Sequence, residues 1–114
     1  MRQITLAAIV SGLTVTGVLA HSKAEKTTPA DAASVDAVDV IAIEFDDLMR
    51  VTAVSMTGPE GLVGVERETG MEPVSEFRAR PPDDLPAGTY TVDWRGLSAD
   101  GHPMQGTFSF TLAD

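Results

Sequence analysis

Residues 85–95 read LPAGTYTVDWR, and this stretch decides the fold class. After the Leu-Pro-Ala-Gly turn, Tyr90, Val92 and Trp94 alternate with polar residues, which is the period-two pattern of a half-buried strand. Trp94 is a natural ring for a hydrophobic core. We therefore predict a strand that begins after the turn and faces the core with its aromatic side.

The same alternation recurs on both sides of this stretch. Further strands are predicted at residues 41–45, 51–56, 74–80 and 108–112, with a weaker one at residues 62–66. The polar residues 23–34 should be extended rather than helical. Short strands separated by Gly/Pro turns, without helical periodicity, predict a small all-β sandwich. Tyr90, just after a turn, then resembles the tyrosine corner of sandwich folds.

Composition limits both the number of domains and the classes of function. The 114 residues suit one domain, with 8 Lys+Arg against 17 Asp+Glu and a net charge of −9. That charge argues against nucleic acid or an anionic membrane surface as a partner. The absence of cysteine excludes disulfides, thiolate metal sites, Fe–S clusters and cysteine nucleophiles. Any imidazole chemistry must use His21, His102 or both.

The first twenty residues have the features of a signal peptide. Arg2 precedes an apolar stretch, and Val18-Leu19-Ala20 supplies the small residues that signal peptidase accepts. Cleavage after Ala20 would leave a single domain, residues 21–114, outside the cytosol. The alternative is an uncleaved membrane anchor, since residues 4–20 are near the minimum length of a spanning helix.

Cleavage makes His21 the first residue of the mature chain. Its α-amine and Nδ1 can then chelate one metal ion once the amine loses its proton. The other histidine lies in Ser98-Ala99-Asp100-Gly101-His102-Pro103. Asp100 and His102 are two residues apart, so their side chains share a face if this segment is extended. Pro103 favours that conformation at His102.

If the fold brings these two segments together, the ligands are one amine, two imidazoles and one carboxylate. A tetragonal set of nitrogen and oxygen donors suits Cu(II), and Zn(II) could use the same atoms with lower affinity. Cu(I) prefers sulfur ligands, and the methionines of this chain are scattered. Two simpler interpretations remain open: a chance histidine after the cleavage point, and an Asp100-Gly101 pair that only forms a turn.

The chain resembles the CopC/YobA family of periplasmic copper-binding proteins. The resemblance is carried by Ala20-His21-Ser22-Lys23, Thr28-Pro29-Ala30-Asp31, Ile43-Glu44-Phe45-Asp46-Asp47, residues 87–95, residues 98–103 and Gly106-Thr107-Phe108-Ser109-Phe110. It implies a Greek-key β-sandwich of about seven strands, of the immunoglobulin-like or cupredoxin-like kind.

The resemblance also implies a site and a function. His21, His102 and Asp100 are expected to hold one Cu(II) ion. Asp47 stands where the family commonly has glutamate, and its shorter side chain suits an outer-shell role. The expected function is an exported copper carrier or buffer in copper homeostasis or resistance, monomeric, working with an inner-membrane transporter of the CopD type.

Two alternatives belong to other classes. An amino-terminal histidine brace is also the copper site of polysaccharide monooxygenases, which need an open copper position and an aromatic surface for the substrate. Here Asp100 would fill that position, and the six aromatic residues mostly fall at inward strand positions. The other alternative is a metal-free sandwich that serves as an interaction module.

Overall fold

Eight strands make up the regular structure of residues 24–114, which are the residues that this computed structural model describes. They are β1 (Ala24–Thr28), β2 (Ala33–Val35), β3 (Ile41–Gly58), β4 (Gly61–Val63), β5 (Glu66–Arg67), β6 (Val74–Arg80), β7 (Gly88–Ser98) and β8 (Pro103–Leu112). The described part of the chain holds no helix that could cross a membrane. The predicted signal peptide and His21 lie outside the described residues.

Most of the predicted strands are present, with revised limits. β6 matches its prediction, whereas the last strand begins at Pro103 rather than near Phe108. The weak strand at residues 62–66 is divided into β4 and β5 at Gly64. The polar lead-in contains β1 and β2, which pair with longer strands. The short elements explain why eight strands are present where the sequence indicated about seven.

The two strands predicted at residues 41–45 and 51–56 are one continuous strand, and that prediction was wrong. β3 runs for 18 residues through Asp46 and Asp47, whose side chains are exposed although the residues belong to the strand. Its pairing with β6 shifts register between Glu44 and Met49, and its pairing with β7 shifts between Val51 and Ala53. Such irregularities bend a strand without ending it. β3 therefore bends within a single hydrogen-bonded sheet, and its two halves contribute to different layers of the sandwich.

The two halves of β3 have different neighbours. The first half pairs with β1 and β6, and the second half pairs with β7 and β4, all antiparallel. β8 lies beside β7, β2 joins β8 in parallel, and β5 joins β6. The halves pack together through Phe45 and Trp94, whose ring centroids are 5.2 Å apart at an interplanar angle of 75°.

β1 and β7 follow one another along the same edge of β3. β1 and β6 both pair with residues 42–44, so they lie on opposite edges. β6 and β7 both pair with Met49, so they also lie on opposite edges. The start of β1, where Ala24 is opposite Phe45, therefore points along this edge towards the end of β7, where Ser98 is opposite Met49.

The core contains the residues that the alternation predicted. Each of the six aromatic side chains is buried: Phe45, Phe77, Tyr90, Trp94, Phe108 and Phe110. The Tyr90 hydroxyl donates to the carbonyl of Pro86, which confirms the tyrosine corner. Its ring stacks on Phe110 with centroids 5.5 Å apart. Burial, followed by the charge of Glu60, raises the pKa of Tyr90.

Arg67 supports the irregular part of β3. Its Nη2 donates to the carbonyl of Val51 at 2.6 Å, next to the register shift, and to the carbonyl of Gly70 at 2.8 Å. Its guanidinium lies 5.0 Å from the ring centroid of Phe77. A side-chain donor thus satisfies a backbone acceptor where the ladder between strands is interrupted.

We predict that Trp94→Ala lowers the free energy of unfolding by ~3–5 kcal/mol, because it removes a large ring from the core and leaves a cavity. Trp94 is the single tryptophan, so chemical denaturation should be followed by circular dichroism rather than fluorescence. The control is Leu62→Ala, at a side chain that is 82% exposed, with an expected change within about 0.5 kcal/mol. Equal stability of the two variants would contradict the central position of Trp94.

Candidate metal centre

The loop that joins β7 to β8 is a tight turn. The Ser98 amide donates to the His102 carbonyl at 2.9 Å, and the Gly101 amide donates to the Ser98 carbonyl at 2.8 Å. Gly101 has φ +86°, a left-handed conformation that glycine adopts without steric cost. The sequence had suggested an extended segment here. These two hydrogen bonds close it into a turn instead.

The turn brings the side chains of Asp100 and His102 together. Asp100 Oδ2 lies 2.9 Å from His102 Nδ1, and the two side chains are 51% and 59% exposed. The Asp-Gly pair thus forms a turn, as the simpler interpretation held, and also presents a carboxylate beside an imidazole at the surface. These are two of the three predicted metal ligands.

Ser98 is a functional candidate to which the sequence analysis assigned no role. Its residue is 6% exposed, and it is the buried polar residue of the described chain. Its hydroxyl donates to Asp100 Oδ1 and accepts a hydrogen bond from the His102 amide at 3.2 Å. A serine two residues before an aspartate in a turn was the available signal, since short polar side chains commonly bond within turns.

The hydrogen bonds of Asp100 favour its ionised form. The Ser98 hydroxyl, followed by the His102 ring, holds the pKa of the Asp100 carboxyl well below its usual range. Asp100 therefore carries its negative charge at every pH at which an imidazole or an amine can bind a metal. Metal binding does not have to displace a proton from this carboxylate.

Asp47, the predicted outer-shell residue, is exposed on β3. Its Oδ1 accepts a hydrogen bond from the Leu48 amide at 2.7 Å. Among residues 24–114, no group of three His, Asp or Glu side chains could hold a metal ion. Asp100 and His102 therefore need a further donor, and the predicted one, His21, lies outside the described residues.

The spacing of Asp100 and His102 suits a metal ion. Two ligands bound at right angles, each about 2.0–2.1 Å from the ion, are about 2.9 Å apart. Oδ2 and Nδ1 already have that separation, so one ion could bind both atoms from a position off the line that joins them, once the hydrogen bond is lost and the ring has turned. The same hydrogen bond, if kept, would orient the ring so that Nε2 binds the metal. The pair can therefore bind the ion through both side chains, or through His102 alone with Asp100 orienting the ring.

A comparison with protein families shows which family has this architecture. A family model described as the CopC domain matches residues 24–113. The chain belongs to the CopC family. The resemblance found in the sequence is thereby confirmed, and the match covers every strand from β1 to β8.

Named CopC relatives cover nearly the whole chain. Copper resistance protein C from Escherichia coli is 33% identical over 120 residues, covering 92% of this chain and 94% of the relative. Protein YobA from Escherichia coli K12 is 29% identical over 112 residues, covering 94% and 90%. The crystal structure of PcoC, a methionine-rich copper resistance protein from Escherichia coli, matches with a TM-score of 0.67 and 30% identity. That match covers 82% of this chain and 99% of PcoC.

We predict that the carboxyl group of Asp100 titrates below the usual aspartate range, because hydrogen bonds from Ser98 and His102 stabilise its charge. A lowered pKa means that this interaction stabilises the folded state above the usual range and is lost only as pH falls through the lowered value. NMR titration of the carboxyl carbon measures it directly. His102→Ala removes one cause and should raise the midpoint; an unchanged midpoint would show that His102 has no such effect.

Proposed function

We propose that the protein is an exported Cu(II)-binding protein that carries or buffers copper in copper homeostasis or resistance. The proposed ligands are the α-amine and imidazole of His21, the imidazole of His102 and the carboxylate of Asp100. One Cu(II) ion is bound, and Asp47 is assigned an outer-shell role. Copper is the cargo of this protein rather than a catalytic group.

The observation that carries the proposal is the position of the Asp100–His102 pair. The turn follows Ser98, which is opposite Met49 on β3, while Ala24 is opposite Phe45 on the same edge. The distance along β3 between Phe45 and Met49 is at most about 13 Å. His21 precedes Ala24 by three residues, which extend up to about 10 Å. β7 is antiparallel to β3, so the turn continues from Ser98 towards Phe45 and shortens the separation that remains. We infer that an amino terminus at His21 can reach the pair.

Cleavage after Ala20 provides the amine that the site requires. It also implies export, and we assign the mature protein, residues 21–114, to the periplasm. The donors must be deprotonated, so copper affinity should fall as pH drops through the range in which imidazoles and amines take up protons. The net charge of −9 favours the capture of cations.

The donor set favours the oxidised ion. Nitrogen and oxygen donors in a tetragonal arrangement suit Cu(II), whereas Cu(I) prefers thioethers or thiolates. Met49 and Met56 are fully buried in the core, Met71 is exposed, and Met104 is partly buried against the core. These positions offer no cluster of sulfur donors, and reduction of the ion should weaken its binding.

Relatives named copper resistance proteins support a role in copper handling. A carrier must exchange its ion with another protein, and the family resemblance implies an inner-membrane transporter of the CopD type as that partner. The exposed Asp100 and His102 side chains allow a partner's ligands to approach the ion. We assign a monomer as the working form.

Buried aromatics support a binding protein rather than a polysaccharide monooxygenase. All six aromatic residues of the chain lie in the core, so none is available as a flat platform for a polysaccharide. The Asp100 carboxylate would also occupy the copper position that oxygen requires. We therefore assign no enzymatic activity.

We predict that one extra residue in front of His21 strongly weakens Cu(II) binding, because it converts the chelating amine into an amide. Protein that begins at His21 should bind one ion with the EPR spectrum of a nitrogen-rich tetragonal site. Both forms should have the same circular dichroism and melting temperature. Equal Cu(II) affinity would remove His21 from the ligand set, and binding by neither form would leave a metal-free interaction module.

We also predict that His102→Ala weakens Cu(II) binding by more than the about 10–100-fold typical of outer-sphere partners, since a direct ligand is lost. The melting temperature should not change, because His102 lies in a turn and its side chain is 59% exposed. Ser55→Ala, at an exposed residue of β3, controls for the loss of a polar surface side chain without a change of charge. Parent-like Cu(II) affinity in His102→Ala would reject this ligand.

A further inference from the structure

We propose that Ser98 is a positioning residue of the copper site, acting through the carboxylate of Asp100. This inference rests on the proposed function and adds a residue to which neither the sequence pattern nor the family comparison assigns a role. Ser98 itself does not contact the ion. It holds one oxygen of Asp100 so that the other faces His102.

Two contacts of the Ser98 hydroxyl support this role. The hydroxyl donates to Asp100 Oδ1, while Oδ2 of the same carboxylate lies 2.9 Å from His102 Nδ1. It also accepts the hydrogen bond of the His102 amide at 3.2 Å. One buried hydroxyl thus contacts both residues of the pair that we assign to copper.

The rigid position of Ser98 makes these contacts effective. Ser98 ends β7, and its backbone is opposite Met49, which is fully buried in the core. Asp100 and His102, in contrast, have half-exposed side chains on a turn. A carboxylate in such a place samples several rotamers unless a fixed group holds it. The hydroxyl is held in place by the sheet and therefore restricts the rotamers of the exposed Asp100 carboxylate.

The turn does not depend on this hydroxyl for its closure. The Ser98 amide already bonds to the His102 carbonyl, and the Gly101 amide bonds to the Ser98 carbonyl. Both are backbone contacts that any residue other than proline could make at position 98. The hydroxyl adds the bonds to Asp100 Oδ1 and the His102 amide, and restricting a ligand before binding lowers the entropy cost of binding the ion.

A double-mutant cycle on protein beginning at His21 tests the proposal. Ser98→Ala is made in the parent and in Asp100→Ala, and the Cu(II) dissociation constant and EPR hyperfine coupling of all four proteins are measured. In the parent background, Ser98→Ala should weaken binding by about 10–100-fold and shift the hyperfine coupling. In Asp100→Ala, the same change should have almost no further effect, because the group it positions is gone.

The control is Ser55→Ala, which removes an exposed hydroxyl from β3 on the part of the strand opposite Asp93. It should bind Cu(II) as the parent does.

A Ser98→Ala effect of equal size in both backgrounds would overturn the proposal, since Ser98 would then act on the turn and not through Asp100. Parent-like affinity and EPR spectrum in Ser98→Ala would overturn it while leaving the copper-carrier function intact. Absence of Cu(II) binding by the parent would reject the proposed function itself, and this inference with it.

An isosteric pair keeps the test decisive if Ser98→Ala does not fold. Ser98→Thr and Ser98→Val have the same shape and differ in one hydroxyl. Binding that is parent-like in Ser98→Thr and weakened in Ser98→Val supports the positioning role. Equal Cu(II) affinity of these two variants overturns it.

Discussion

The continuity of β3 is the constraint on which the other features depend. A single strand of 18 residues contributes to both layers of the sandwich, and its neighbours change along its length. Met49 lies at the changeover, opposite Val74 on one edge and Ser98 on the other. Since β1 and β7 share one edge, the start of β1 and the turn after Ser98 point towards each other along β3. The strand pairing along β3 thus determines where the candidate site lies, whereas the side chains determine what it can bind.

Close packing around Trp94 gives this topology its rigidity. Trp94 contacts Phe45 in the core, and a methyl group at Gly106 would lie 2.7 Å from its Nε1. At Gly96, a methyl group would lie 2.6 Å from the Arg50 carbonyl and 3.0 Å from the sulfur of Met49. Glycine is therefore required where β7 and β8 approach their neighbours. The turn that carries Asp100 and His102 projects from two closely packed strands.

The sequence predicted those features that depend on the alternation of apolar and polar residues and on local turns. The inward positions of Ile41, Ile43 and Phe45 and the tyrosine corner at Tyr90 are of this kind, and both are confirmed. The Asp100–His102 pair was also predicted, although its backbone is a turn and not an extended segment. The ligand role of His21 stays a prediction, since it lies outside the described residues.

What sequence reasoning missed depends on contacts between distant residues. Asp46 and Asp47 predict a loop by composition, yet pairing on both edges keeps them within β3. β1 and β2 are too short and polar to show a pattern and exist because longer strands pair with them. Ser98 shows its role only when burial and the direction of its hydroxyl are known.

Strand length determines how this sheet meets other protein molecules. In the described chain, each strand with a single neighbour is short: β1 has five residues, β2 and β4 have three, and β5 has two. The long strands β3 and β7 are enclosed on both edges, and the part of β8 that β2 leaves uncovered starts at Pro103, which has no amide hydrogen to donate. The four short strands therefore offer little template for strand addition from another chain. A strand of another molecule could pair along more than a few residues at the open parts of β6 and β8, which β5 and β2 leave uncovered.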